Sequence, residues 1–487
     1  MSAAVPLGAS KASPRTDVLR WPLLGRFLRW RHSRTVVQAV LLAVAVAVAL
    51  HGLFGPQVAP RNLATVLTWV HYRGLVVVGL LAAGNLFCTG CPFVLVRDVA
   101  RRAHQPKRRW PSRLRSKWIG LSLLVAVLFS YELFDLWASP RGTVWLLLAY
   151  FAGALAVDLA FAGASFCKYV CPIGQYNFVA STLSPLDLQV RETGTCLTCR
   201  THDCIRGVRT PEDPRGLRRR GCELGLFLPS KVGNLDCTLC LDCVHACPHD
   251  NIALTTRPPG SELWDDRRRS GVGRLGRRKD LAAFAVVFTF AALLNAFGMT
   301  SPVYALEDAL ARLMGVRSEA PVLAVIFALA LVVAPILLVG AAAAASRALA
   351  GATLSVTSTA VRYAYALIPL GFGVWVAHYG FHLLTGVLTI VPVAQAAAAD
   401  AFGGPVLGAP RWTWAGMNSG SVYSIELGIV LLGAMVSWTA AYRISARDHP
   451  ARAAQAAAPW AMLVAGLAAT AIWVLSQPME MRGTFFG

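Results

Sequence analysis

The sequence predicts an α-helical integral membrane protein of about nine transmembrane helices, interrupted by a cytoplasmic, cysteine-rich insert of small α+β character. Three observations lead there. Of the 487 residues, 56% are apolar and only 15% charged, with a mean hydropathy of +0.53, far from the balance of a soluble domain. Apolar stretches of about 20 residues, enough for a ~30 Å hydrocarbon core, recur along the chain. All twelve cysteines fall between Cys88 and Cys247.

The apolar stretches place spans at roughly 35–55, 66–87, 118–138, 143–165, 281–300, 321–342, 363–390, 424–442 and 458–477. The chain then divides into a basic N-terminal segment (1–34), two transmembrane hairpins (35–166), the cysteine-rich insert with a basic linker (167–280) and a C-terminal membrane domain of about five helices (281–487). Lys and Arg set the orientation, because the side that keeps them is normally the cytoplasm. Lys11, Arg15, Arg20, Arg26, Arg29, Arg31 and Arg34 precede the first span, and residues 97–117 carry nine more basic side chains. The segments 56–65, 139–142, 301–320 and 391–423 hold one or two each, so they are expected outside. This puts the N-terminus and the insert in the cytoplasm and the C-terminus outside, in a bacterial-type inner membrane. The first 34 residues lack the apolar core of a cleavable leader.

The net charge of +21 needs no nucleic acid. Runs such as Arg218–Arg220 and Arg267–Arg269 follow from the positive-inside bias and attraction to anionic membrane lipid. The sharper alternative is a docking surface for an acidic redox partner protein.

The cysteines fall into three sets of four. The most telling is Cys237, Cys240, Cys243 and Cys247 followed by Pro248, a C-x2-C-x2-C-x3-C-P run. That spacing folds three thiolates around one corner of a [4Fe-4S] cube while the fourth reaches a neighbouring cluster, as in bacterial-type ferredoxins. The insert is therefore expected to be ferredoxin-like. Cys196, Cys199, Cys204 and Cys222 form a second set, with zinc as the alternative occupant. Cysteine pairs at metal spacings point to a reducing compartment, in line with a cytoplasmic insert. His202, His245 and His249 lie among these thiols as outer donors or surface residues.

The third set closes two transmembrane hairpins alike. Gly84-Asn85-Leu86-Phe87-Cys88-Thr89-Gly90-Cys91-Pro92 ends the second span, and Gly163-Ala164-Ser165-Phe166-Cys167-Lys168-Tyr169-Val170-Cys171-Pro172 ends the fourth. The shared pattern suggests a duplicated helical pair. If Cys88, Cys91, Cys167 and Cys171 converge, four thiolates suit a third Fe-S cluster or Cu(I). If they do not, they are separate thiols.

On these residues the chain resembles the membrane-bound polyferredoxins, which include accessory proteins of periplasmic nitrate and nitrous-oxide reduction and the cupric-reducing assembly protein of cytochrome oxidase. The matching features are the two Cys-x2/3-Cys-Pro motifs and the two-cluster insert, over about residues 35–255. The resemblance implies one-electron transfer at the cytoplasmic face, coupled to quinone or to a metal. The cross-ligation rule of two-cluster ferredoxins puts Cys196, Cys199 and Cys204 with Cys247, and Cys237, Cys240 and Cys243 with Cys222. Three departures stand out: only two residues separate Cys88 from Cys91, Glu223 replaces a proline after Cys222, and the residues beyond the insert have no counterpart in the pattern.

An inner cluster needs a relay to reach the far side of a ~30 Å core, and quinone in the bilayer is the simplest. Polar residues inside spans mark where such a site can lie. His378 and His382 share one helical face of the seventh span, and His51, Glu132, Asp135, Glu426, Met479, Glu480 and Met481 fall at similar depth. Arg73, His71 and Asp158 lie closer to the cysteine motifs, to pair with one another or meet a quinone headgroup. The leading reading is a membrane-bound iron-sulfur electron-transfer protein passing single electrons between a cytoplasmic donor or acceptor and membrane quinone or a respiratory partner. The alternative is copper reduction and handling for assembly of a respiratory metalloenzyme. No dinucleotide fingerprint or C-x-x-C-H haem motif stands out.

Overall fold

The computed structural model of the chain describes residues 17–208 and 219–479. Lys11, Arg15, Arg218, Glu480 and Met481 lie outside the described residues. Apolar helices follow one another as α1 (Ser33–Phe54), α2 (Leu63–Ala83), α3 (Trp118–Leu133), α4 (Pro140–Ala160), α5 (Lys279–Phe297), α6 (Glu319–Ala350), α7 (Val356–Gly386), α8 (Ser419–Asp448) and α9 (Pro450–Ser476). Among the described residues eight of these are long and apolar enough to cross a membrane. The shorter one is α3, whose 16 residues rise only about 24 Å.

Several boundaries differ from expectation, each for a local reason. The span expected over 118–138 ends at Leu133, because Glu132 and Asp135 build a polar turn with Asp135 in the left-handed region at φ 45°. Ser139 then caps α4 by accepting from the Gly142 N–H at 3.1 Å, with Pro140 in the first turn. Helix α6 runs past the expected 342 to Ala350, carried by alanines, the best helix formers. Asn418 caps α8 five residues before the expected start through a 2.9 Å bond from the Gly420 N–H. The segments 301–320 and 391–423, expected only as outer connections, hold the helices Pro302–Met314 and Ile390–Phe402.

Helix α7 is the central post of the bundle and is almost wholly buried. It meets α8 closely at small residues: a Cβ on Gly433 would lie 2.8 Å from the Pro369 carbonyl oxygen. Trp375 Nε1 donates to the Phe288 carbonyl of α5 at 3.0 Å, and Ser437 Oγ accepts from the Leu370 N–H at 3.0 Å. With no water in a bilayer to satisfy them, such polar atoms find partners within the bundle.

The cysteine-rich segment sits on one end of this bundle. Strand β1 (Leu186–Val190) pairs antiparallel with β2 (Ile252–Thr256), Val190 opposite Ile252, so the ribbon brackets eight of the cysteines. Charge and hydrogen bonds tie this layer to the helix ends. Arg34 of α1 reaches Asp242 at 2.8 Å, Lys117 before α3 reaches Asp236 at 2.6 Å, and Arg447 of α8 donates to the Trp264 carbonyl at 2.8 Å. These are the same helix ends that the basic residues mark in the sequence.

Candidate functional site

The two helix-end motifs begin at glycines. Gly84 and Gly163 have φ of 71° and 76°, the left-handed region where a side chain is strained. A Cβ on Gly84 would also sit 2.8 Å from Ser184 Oγ, and one on Gly163 would sit 3.1 Å from the Glu223 carbonyl oxygen. Both glycines thus turn the chain sharply out of its span directly under the cysteine-rich layer. From there the motifs run Leu86–Thr89 as a short α turn and Phe166–Val170 as a π turn closed by a 2.8 Å bond from the Cys171 N–H to the Phe166 carbonyl. The π turn absorbs the extra residue of the second motif. Pro92 and Pro172 then start matching nine-residue helices.

This symmetry brings Cys88, Cys91, Cys167 and Cys171 together around one cavity. Asn177 Nδ2 donates to Cys88 Sγ at 3.4 Å, and the Gly174 N–H donates to Cys171 Sγ at 3.2 Å. Two further cavities lie in the insert. Cys196, Cys199, Cys204 and Cys247 line one. Cys222, Cys237, Cys240 and Cys243 line the other. The zinc alternative for 196, 199, 204 and 222 is therefore not favoured, since Cys222 faces the other cavity.

Backbone strain is concentrated at these loops. His202, Asp236, Leu239, Leu241 and Asp250 all have positive φ, and the two leucines flank Cys240. A leucine in the left-handed region persists only where its surroundings over-determine it. Here the buried Leu239 and Leu241 anchor in the core, at 0% and 2% exposure, and so turn their neighbouring thiols to the cavity. Backbone N–H groups of Leu226 and Asn251 point at Cys222 and Cys247 sulfurs, each at 3.4 Å, and Asn251 Nδ2 points at Cys196 at 3.3 Å.

The donor set decides what each cavity suits. A single tetrahedral ion needs its sulfurs about 2.3 Å from one point, and among the described residues no three His, Cys, Asp or Glu side chains converge that way. The thiols instead line the walls of the three cavities. Burial pushes the free thiols up, Cys88 to about 12, Cys237 and Cys204 to about 11, so metal binding there must displace protons. Cationic side chains stand beside the cavities to balance thiolate charge. Arg97, 1% exposed, lines the helix-end cavity and bonds Glu223 at 2.7 Å, Asp98 at 2.8 Å and Asp158 at 3.4 Å. Burial opposes the charge on Glu223, but Arg97, Arg220 and Arg34 hold its carboxyl down to about 2.

This network was not visible in the sequence, which leads one to expect Asp158 to pair with Arg73 or His71 or to meet a quinone headgroup. Asp158 instead takes Arg97 and caps the Phe166 N–H at 2.8 Å, while His71 faces the Val66 and Val387 carbonyls. Glu223, the departure after Cys222, ties the insert to the short helix Pro92–Ala100 through Arg97.

The cavities touch in sequence. The Cys222 N–H donates to the Cys204 carbonyl at 2.9 Å, joining the two insert cavities. Asn85 Nδ2 donates to the Cys237 carbonyl at 3.2 Å and Thr89 Oγ1 to the Leu239 carbonyl at 3.0 Å, joining the insert to the helix-end motif. Beyond lies an aromatic cavity between α2, α3 and α7, whose wall at Tyr72, Ile173 and Asn177 is shared with the helix-end cavity. Tyr150 and Tyr176 line it with hydroxyls that have no hydrogen-bond partner. Arg73 lies 4.9 Å from the Trp69 ring and 4.6 Å from the Tyr379 ring, held by aromatic faces and the Trp69 carbonyl. A π segment, Val66–Tyr72, aims Trp69 and Tyr72 into this space.

His378 and His382 are 0% and 2% exposed, 4.9 Å apart edge to face, and line neither this cavity nor a cysteine one. Both nitrogens of His378 and Nε2 of His382 lack partners.

Three cavities, each lined by four cysteines, lie at one end of a bundle whose described residues include eight helices long and apolar enough to cross a membrane. The chain is 26% identical over 212 residues to the methylamine utilization ferredoxin-type protein MauN of Methylobacillus flagellatus, covering 39% of this chain and 70% of that protein. It is 26% identical over 190 residues to the ferredoxin-type protein NapH of Escherichia coli, covering 36% of this chain and 64% of that one. An uncharacterized protein of Methanocaldococcus jannaschii is 25% identical over 199 residues. The resemblance to ferredoxin-type proteins read from the motifs thus holds, over less than half of this chain. No protein-family model and no solved structure matches it.

Proposed function

We propose that the chain is an iron-sulfur electron-transfer protein of a bacterial-type inner membrane, holding three [4Fe-4S] clusters and exchanging single electrons with quinone. The observation that carries this is the set of three cavities, each ringed by four cysteines and joined by direct contacts. The insert cavities would take the crossed sets 196, 199, 204, 247 and 222, 237, 240, 243, and the helix-end cavity a third cluster. Such clusters supply one-electron chemistry whose potential is set by charge, hydrogen bonds to sulfur and exposure. The residues provide all three levers: N–H groups aimed at sulfur, Arg97 and Arg34 beside the thiols, and burial that deepens towards the membrane.

Cys196 and Cys199 lie nearest solvent, beside Leu197 at 68% exposure, and suit exchange with a soluble redox protein at the cytoplasmic face. The aromatic cavity suits a quinone ring: flat apolar walls, unsatisfied tyrosine hydroxyls as donors to ring carbonyls, and Arg73 to favour the negative charge that develops on reduction. The basic helix ends beneath the insert support a cytoplasmic insert and an external C-terminus. The copper-handling reading gains no support from the geometry.

The test is anaerobic purification followed by addition of quinol. Bleaching of the iron-sulfur absorbance by quinol as well as by dithionite supports the proposal; clusters that dithionite reduces and quinol does not would remove quinone from it.

A further inference from the structure

Reduction or oxidation of a quinone moves protons as well as electrons, and the aromatic cavity has no carboxylate or histidine among the described residues that line it. Its protons must leave through a neighbour. Towards the clusters the neighbouring carboxylate is Asp158, already engaged by Arg97 and the Phe166 N–H. Away from the cysteine motifs the wall residue is Tyr131, which also lines a second, small cavity together with Glu132, Asn295 and Glu307. Asn295 Nδ2 donates to the Tyr131 hydroxyl, and Asn295 Oδ1, buried, has no partner. Glu132 is 8% exposed at the outer end of α3, and Glu307 sits on the helix Pro302–Met314 at the bundle end opposite the insert.

Resting on the quinone reading above, we infer that Tyr131, Asn295, Glu132 and Glu307 form a proton route from the aromatic cavity to the face opposite the clusters. In the oxidative direction both O–H bonds of the quinol break. The two electrons would pass one at a time, by way of clusters held by the cysteines, to a one-electron acceptor at the insert face, and the two protons pass in turn through Tyr131 and Glu132 to Glu307 and the face opposite the insert. Electrons and protons thereby leave on opposite sides of the membrane.

The experiment uses the holoprotein in liposomes with a trapped pH dye, a short-tailed quinol, and external ferricyanide, which selects molecules whose insert faces outward. Two ferricyanide are reduced per quinol, and the expected result is acidification of the lumen by about two protons per quinol, as the two broken O–H bonds require. Protons appearing instead in the external buffer, at the cluster face, overturn the route while leaving quinol oxidation intact. No reduction of ferricyanide by quinol, in protein whose clusters dithionite still bleaches, overturns the quinone reading and the route with it. Glu132→Gln is expected to slow quinol oxidation about 10²-fold with the cluster spectrum unchanged, and Glu132→Asp to restore most of it. An unchanged rate in Glu132→Gln overturns the role of Glu132. Should Glu132→Gln lose its clusters, Asn295→Leu serves in its place with the same criterion.

Discussion

Arg97 shows how much one side chain holds together at the membrane surface. It is buried with three carboxylates, Asp98, Asp158 and Glu223, two of which come from distant segments. Replacing it by Leu leaves buried negative charge without its partner beside the helix-end thiols, a loss of about 3–5 kcal/mol. The expected outcome for Arg97→Leu is a lowered thermal midpoint and loss of the cluster next to it; a midpoint equal to wild type contradicts the assignment. At the same scale, Cys88→Ser and Cys167→Ser are expected to remove the same EPR component, because both thiols face one cavity. Two different components lost would mean two separate sites. The cysteine spacings are local and so were legible in the sequence, and the structure sets these residues around three cavities. The Arg97 network and the hydroxyls of Tyr150 and Tyr176 were not, since their roles come from contacts between residues far apart in the chain, which no local spacing encodes.

Among the elements, the duplicated turn out of the membrane is the decisive one. Gly84 and Gly163 set its direction, and the π turn of Phe166–Val170 accommodates the three-residue spacing of the second motif. Gly84→Ala meets both the left-handed penalty of about 1–2 kcal/mol and a Cβ contact at 2.8 Å with Ser184. Its expected phenotype is loss of the helix-end cluster with the two insert clusters retained, read as a fall in iron of about one third. Retention of all iron would show that the turn tolerates a side chain. The sequence revealed this repeat through G-x-x-F-C, yet it left open whether the two Cys pairs meet, which depends on how α2 and α4 pack. Span boundaries were legible to within several residues where apolar runs end in polar ones; α3 stops short of the expected 138 at a tight turn, and α6 overshoots further, ending at Ala350 where 342 was expected.

On the scale of the whole molecule, four cavities follow one another from the half-buried Cys199 of the insert to the aromatic cavity between α2, α3 and α7, and the proposed electron path runs through them. The strained leucines at 239 and 241 sit in the middle of that path. Removing iron with a chelator under reducing conditions is expected to let those loops relax, so that limited proteolysis cuts the insert while the membrane helices stay intact; equal resistance with and without iron would show that the loops hold themselves. Tyr176→Phe is expected to slow quinol-driven cluster reduction about tenfold, the loss of one hydrogen bond worth about 1.4 kcal/mol, with dithionite reduction unaffected. The helical membrane class and the likeness to ferredoxin-type proteins could be read from composition and spacing, whereas the part played by the second half of the chain could not. Its part becomes visible only in the packed bundle, where α7 supplies Trp375 and Tyr379 to the cavity wall.

The most direct measurement is iron and acid-labile sulfide per chain on anaerobically purified protein, taken with its EPR spectrum after reduction. Three four-cysteine rings predict about twelve iron and twelve sulfide, four of each per cluster. Colourless protein without acid-labile sulfide, or iron near eight with Cys88, Cys91, Cys167 and Cys171 all open to thiol reagents, would contradict the three-cluster path.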